Sequence, residues 1–288
     1  MAAAGLTTPS IGLALGGGAA RGLAHIVVLE ALDELGVKPS FIAGCSIGAL
    51  LGAAYASGLT GGEIREHALS VLGSPSAAAR RLFWPGEREE KVRPINLGLF
   101  LGVSLNGLGL VRLVSPPGLA RRVEDTEIPF AVSSTDFYAG REVTIDTGEM
   151  EQAVAASIAI PGVIEAPRLN GRVMIDGAYT NPVPMDHVRE RGCELLIAVD
   201  VTGKAVENED GKAPGATELI IGGTQIMQRE ITRLKAQTAR PDVMIVPATD
   251  RFGAHEFLKI REILAAAEPE RERLKRNLSL LLDGRNGA

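Results

Sequence analysis

Residues 44–48 read Gly44-Cys45-Ser46-Ile47-Gly48. This is G-x-S-x-G, the pattern of a sharp turn that lifts a serine between a strand and a helix. The flanks suit it. Phe41, Ile42 and Ala43 form a short apolar run before the turn, and Ala49, Leu50, Leu51, Ala53, Ala54, Tyr55 and Ala56 form a small-residue helix after it, stopped by Gly58. So tight a turn needs Gly44 and Gly48, because a Cβ at either position would clash or strain the chain. Ser46 would stand above the sheet with a helix N-terminus beneath it, where a developing negative charge is favoured. From five residues alone, a close-packed turn with a capping serine fits as well.

Upstream, Ile11–Leu15 reads as a first strand, followed by Gly16-Gly17-Gly18-Ala19-Ala20-Arg21-Gly22. Residues 24–35 then carry a helical stripe of Ile26, Val27, Leu29, Ala31, Leu32 and Leu35, ended by Gly36. Strand, glycine loop, helix, strand, elbow and helix in that order open an α/β fold with a parallel sheet. The glycine loop has three readings. As a dinucleotide fingerprint it fails, since Gly22 falls one place late and no acidic residue ends the second strand; as a P-loop it lacks G-K-[ST]. The third is a set of converging N–H groups, an oxyanion hole for an acyl transfer, and Ser46 one strand later favours it. A plain βα turn is the bland alternative. Arg21 suits tying the loop to carbonyls better than binding an acidic substrate, and His25 suits a packed core position.

The chain has 288 residues, 45% hydrophobic and 23% charged, enough for a substantial core. Glycine is abundant at 34 and aromatics scarce at 4%, so helices can approach a sheet closely. The net charge of -5, with no basic and aromatic patch, argues against nucleic acid. Cys45 and Cys193 each sit in or beside an apolar run and read as buried thiols. Residues 1–10 lack the basic and apolar regions of a signal peptide, and no uncharged run reaches membrane-span length. The expected location is the cytoplasm, with peripheral contact to a bilayer left open.

Further on, helices are expected over 62–72, capped by Thr60, and over 76–82, with charged residues at 87–93. From Pro94 to Gly118 the chain is apolar and broken by glycine. It reads as a buried meander or as a mobile flap over the site that meets lipid. Strands are expected over 129–136 and 141–147, a helix over 149–158, and a hairpin over 168–176 turning at Asn170-Gly171. That hairpin ends in Asp176-Gly177-Ala178. A helix 185–191, a strand 194–199, a helix near 216–238, a strand 243–246 and helices over 256–282, divided near Pro269, complete the chain. No repeat or linker divides it, so residues 1–288 are expected to form one domain.

A serine hydroxyl needs a base. The four histidines are His25, His67, His187 and His255. A serine, acid, histidine order would use Ser46, Asp176 or Asp200, and His255. The other possibility is a carboxylate acting directly on Ser46. Asp176 is best placed, at the end of a strand before a glycine; burial would raise its pKa from about 3.9 toward a useful range. A simple Asx turn at that strand end is the structural alternative.

Together these motifs resemble the patatin-like phospholipase family in its bacterial branch, over residues 11–185. Gly16 to Gly22 is similar to the family's oxyanion loop with its arginine, Gly44 to Gly48 to its elbow, and Asp176-Gly177-Ala178 to its D-G-[GA] motif. Residues 156–162 resemble the block that precedes that motif. Ala19 stands where bacterial members often carry glycine, and Cys45, expected to pack away from Ser46, where many carry threonine. The resemblance implies a three-layer α/β/α fold with a mostly parallel sheet. It implies hydrolysis of lipid acyl esters by a Ser46–Asp176 dyad through an acyl-serine, with backbone N–H groups around Gly17, Gly18 and Ala19 holding the oxyanion. Neither cofactor nor metal is implied, because the sequence shows no cluster of His, Cys and carboxylates. The rival readings are a lipid-binding or regulatory module of little activity on the same fold, and a nucleotide-binding protein using residues 16–22.

Overall fold

The computed structural model describes residues 9–74, 95–97, 103–206 and 213–286. The expected helix 76–82, the charged run 87–93 and residues 98–102 of the apolar segment lie outside them. The elements are β1 (Ile11–Leu15), α1 (His25–Glu34), β2 (Phe41–Cys45), α2 (Ile47–Ala56), α3 (Gly61–Leu72), β3 (Ile95–Leu97), β4 (Val103–Leu105) and α4 (Gly107–Val114). Then follow β5 (Phe130–Asp136), β6 (Arg141–Ile145), α5 (Met150–Ser157), β7 (Arg168–Leu169), β8 (Arg172–Asp176), α6 (Met185–Glu190) and β9 (Leu195–Val199). The chain closes with α7 (Ala216–Ala239), β10 (Val243–Ile245), α8 (Ile260–Ala267) and α9 (Pro269–Asn286).

The central sheet runs β10-β9-β1-β2-β5, all parallel, and β5 adds the antiparallel β6 and β8. Alternation along the strands sorts side chains between two faces. Leu13, Leu15, Ile42, Leu195, Ile197 and Val199 face the larger core, which includes residues of α1, α2, α3, α5, α8 and α9. Ala14, Ala43, Ala131 and Ala198 face the other side, where Met185 and Val188 of α6 and Ala239 of α7 cover the sheet. Small residues there allow close approach of the second helical layer. The result is the three-layer α/β/α architecture.

The placement of β8 positions the site. β6 pairs with residues 132–136 of β5 along one edge. β2 pairs with 130–133 and β8 with 134–136, so these two must share the opposite edge. They run toward each other in one lane and meet head to head: Cys45 lies beside Ser133, and Asp176 beside Ser134.

The apolar 94–118 segment is more regular than a meander where it is described. β3 and β4 form an antiparallel pair, and Asn106 caps α4 by accepting the Gly109 N–H at 2.8 Å. β4 is tied to the loop after α5, with the Leu105 N–H donating to Val163 O at 2.9 Å. Short apolar glycine-containing runs do not reveal this, because a two-turn helix gives too few residues to establish a period. The Thr60 cap forms as expected, in a reciprocal capping box with Glu63. Both cysteines are buried and free. Among the described residues, no helix is long and apolar enough to cross a membrane.

Candidate active site

Ser46 occupies the turn between β2 and α2 at φ 53°, ψ −121°. Positive φ strains a residue with a Cβ, and such strain persists only where surrounding contacts enforce it. Two close approaches do so here. A Cβ on Gly48 would lie 2.2 Å from Leu15 O, and one on Gly44 would lie 2.6 Å from Gly48 O. The glycines on either side of Ser46 therefore let the elbow press against β1 and against its own helix.

The head-to-head strands bring Ser46 and Asp176 together across 130 residues of chain: Ser46 Oγ donates to Asp176 Oδ2 at 2.7 Å. The other carboxylate oxygen, Oδ1, accepts the Ala178 N–H at 2.8 Å. The Asp176–Ala178 bond is also the expected Asx turn, so Asp176 uses one oxygen for the turn and the other for the serine. Gly177 is closely packed, since a Cβ there would fall 2.2 Å from Ser133 O. Cys45 departs from expectation. It is buried, but its Sγ reaches toward Asp176 Oδ1 at 4.0 Å instead of packing away from the site. Burial keeps it a thiol by raising its pKa well above the usual range.

Asp176 is 3% exposed. Burial raises its pKa to about 6, against the hydrogen bonds from Ser46 and the Ala178 N–H, which favour the ionised form. The carboxylate is thus ionised at neutral pH yet far more basic than a solvated aspartate.

The glycine loop runs beside Ser46, but its amides are not equivalent. The Gly16 N–H donates to Val199 O at 3.0 Å and the Gly17 N–H to Pro182 O at 2.9 Å. The Gly17 amide is therefore committed to the fold, which corrects its place among the expected oxyanion donors. Gly17 instead abuts Ser46, with its Cβ position 3.3 Å from Ser46 Cβ. Among the described residues, the N–H groups of Gly18 and Ala19 have no acceptor. Ala19 is held at φ 50°. Gly22 closes the loop against Ile47, the residue after Ser46.

Arg21 is buried and works as a tie. Its Nη1 donates to Phe252 O at 3.0 Å and its Nε points to Val201 O at 3.4 Å. With the Gln225 amide turned to satisfy both its ends, Gln225 Oε1 accepts from Nη2 at 2.6 Å. One guanidinium so joins the glycine loop to the segments after β9 and β10 and to α7.

None of the four histidines serves Ser46. His25 is buried and its Nε2–H donates to Gly16 O at 2.8 Å; burial lowers its pKa to about 4, so it is neutral. His67 bonds Val114 O at 2.9 Å and His187 pairs with Glu142 at 2.7 Å. His255 is exposed beyond β10, and Asp200 accepts from the Thr202 N–H at 2.9 Å. The triad with His255 is not the arrangement assembled here.

Sequence reasoning missed Ser157, whose Oγ accepts the Ser46 N–H at 2.7 Å. It also missed a charged cluster on the far edge of β5. Glu142, Asp186 and His187 converge there, contrary to the expectation of no such grouping. Lys235 bonds both carboxylates and supplies the cluster's own cation. These residues come from β6, α6 and α7, and nothing in their spacing announces the meeting.

The family model described as patatin-like phospholipase matches residues 13–189. The chain belongs to the patatin-like phospholipase family. An NTE family protein of Mycobacterium tuberculosis is 32% identical over 219 residues, 74% of this chain and 55% of that protein. The lysophospholipase NTE1 of Eremothecium gossypii is 30% identical over 200 residues, 68% of this chain and 12% of that protein. This patatin-like chain thus spans about half the length of the mycobacterial relative and a small part of the fungal one. The crystal structure of VipD from Legionella pneumophila superposes with a TM-score of 0.49 at 13% identity, covering 94% of this chain and 67% of its own. The matched range takes in all three patatin-like motifs: the glycine loop, the elbow and the Asp176 turn.

Proposed function

We propose that this chain is a serine acyl hydrolase that cleaves carboxylic esters of lipids, phospholipid or lysophospholipid, through a Ser46–Asp176 dyad. The observation that carries this is the 2.7 Å bond from the strained Ser46 hydroxyl to a buried carboxylate that, among the described residues, has no cationic partner. The family, and a relative named as a lysophospholipase, support the substrate class.

The steps follow from the geometry. Ser46 Oγ bonds to the ester carbonyl carbon as its proton passes to Asp176. The carbonyl oxygen becomes an oxyanion and takes hydrogen bonds from the free N–H groups of Gly18 and Ala19, with the α2 N-terminus adding favourable potential. The C–O bond to the alcohol breaks and Asp176 returns its proton to the leaving oxygen, which leaves acyl-Ser46. Water then attacks the acyl carbon while Asp176 takes its proton. Collapse releases the fatty acid and re-protonates Ser46.

Ser46→Ala and Asp176→Asn, assayed against lipid extracts with products read by mass spectrometry, test the proposal. Each variant is expected to lose at least about 10³-fold in kcat. Wild-type turnover in either folded variant overturns the dyad. Tight vesicle binding without turnover by the wild type favours a lipid-binding module instead.

A further inference from the structure

The β2–β5 ladder stops one rung short, and a side chain completes it. In a parallel ladder, alternate residues of one strand donate their N–H groups to the residue before their partner. Ile42, beside Phe130, donates to Pro129 O at 3.0 Å in this way. Carried forward two residues at a time, the pattern directs the Ser46 N–H at Ser133 O. At Ser46 the chain has already turned. Its N–H donates instead to Ser157 Oγ at 2.7 Å, and the same hydroxyl donates to Ser133 O at 2.6 Å. Ser133 and Ser157 are wholly buried. Two residues further, Ala159 O accepts the Asp176 N–H at 3.0 Å. The segment 157–159 therefore fills the gap where β2 and β8 meet and holds the backbone of both members of the dyad.

We propose that Ser157 is a positioning residue. Its hydroxyl splices the missing rung and so fixes Ser46 Oγ against Asp176; the inference rests on the hydrolase reading of those two residues. The splice must accept from an N–H and donate to a C=O at once, which a hydroxyl does and an alkyl group does not. Ser134 provides the control. It is equally buried, and its Oγ lies 3.0 Å from both Ala156 O and Ile175 O, but among the described residues it makes no hydrogen bond to the elbow.

Wild type, Ser157→Ala, Ser157→Thr and Ser134→Ala are compared with p-nitrophenyl butyrate and with a fluorophosphonate that titrates Ser46. Ser157→Ala is expected to lose about 10- to 100-fold in kcat and in labelling rate, at full titratable serine content and with KM within about two-fold. Ser157→Thr, which keeps the hydroxyl, recovers most of the loss, and Ser134→Ala keeps its kcat. Independently of turnover, the Ser46 amide exchanges with deuterium at least about ten-fold faster in Ser157→Ala. Unchanged kcat, unchanged Ser46 exchange, or equal kcat losses in Ser157→Ala and Ser134→Ala overturn the proposal. If the alanine variant does not fold, Ser157→Cys takes its place under the same criteria. A wild type that neither turns over ester nor labels ends the hydrolase reading, while the exchange rate still decides the splice.

Discussion

Two carboxylates flank β5, and their surroundings set them to opposite uses. Asp176, on the β8 edge, has only neutral donors among the described residues: the Ser46 hydroxyl, the Ala178 N–H and, at 4.0 Å, the Cys45 thiol. Burial prevails and its pKa rises to about 6. Glu142, on the β6 edge, is also drawn largely out of water, which by itself would push it up. It is met by His187 at 2.7 Å, Asn181 Nδ2 at 2.7 Å and Lys235 at 3.2 Å, and together they bring it down to about 2. Burial without a cation makes a base able to take a proton near neutrality; burial with cations makes a permanent ion. On the proposed mechanism the first group takes the proton, while the second holds β6, α6 and α7 together.

Exchanging the charge at each site separates these roles most sharply. Asp176→Asn is expected to remove at least about 10³-fold of the activity while leaving the melting temperature at pH 7 unchanged or higher. The sign follows from linkage. A carboxyl whose folded pKa is raised contributes stability that is present below about pH 4, the unfolded value, and is lost as pH rises through its folded pKa. The variant's Tm advantage over wild type should therefore grow between pH 4 and about pH 7, and a constant difference across that range would place Asp176 in a more solvated setting.

Glu142→Gln should do the reverse, costing about 2 kcal/mol of stability at pH 7 with kcat within a few-fold of wild type. Its folded pKa is depressed, so its contribution is present above the ordinary carboxylate value and is lost as pH falls toward about 2. The deficit measured by urea unfolding should shrink on acidification. A large activity loss with little change in stability would break the contrast between the two edges.

The pH profile reads Asp176 directly. The proton acceptor must be ionised, so kcat/KM for a neutral ester should rise with pH through a midpoint of about 6. A midpoint near 4 would mean that burial does not govern this carboxylate. The smallest effect is expected from Lys235→Gln, about 1 kcal/mol, because Glu142 keeps His187 and Asn181 when that cation is lost.

What was legible in the sequence was local. The elbow, the glycine loop and the Asp176 turn each announce themselves within a few residues, because a strained turn restricts which side chains it accepts. Strand and helix positions followed from apolar periods, and most lie within a few residues of expectation. What escaped depends on register. Gly17 looked like a donor because its neighbours do, yet its amide donates to Pro182 O in the loop before α6, a contact between distant loops that no pentapeptide encodes. Ser157 sits in an ordinary small-residue helix and gains its role only where β2 ends beside Ser133. Glu142, Asp186, His187 and Lys235 are ordinary charges until three separate elements meet. The same holds for α4, whose two turns are too short to show a period.

The head-to-head meeting of β2 and β8 also sets a timetable. Ser46 is placed by the first two strands, but its partner Asp176 arrives 130 residues later in the chain. Closing so long a loop costs entropy that only the already paired strands can offset. On the proposed dyad, a chain released before residue 176 would carry the serine without its base, and completion of the sheet would switch the activity on.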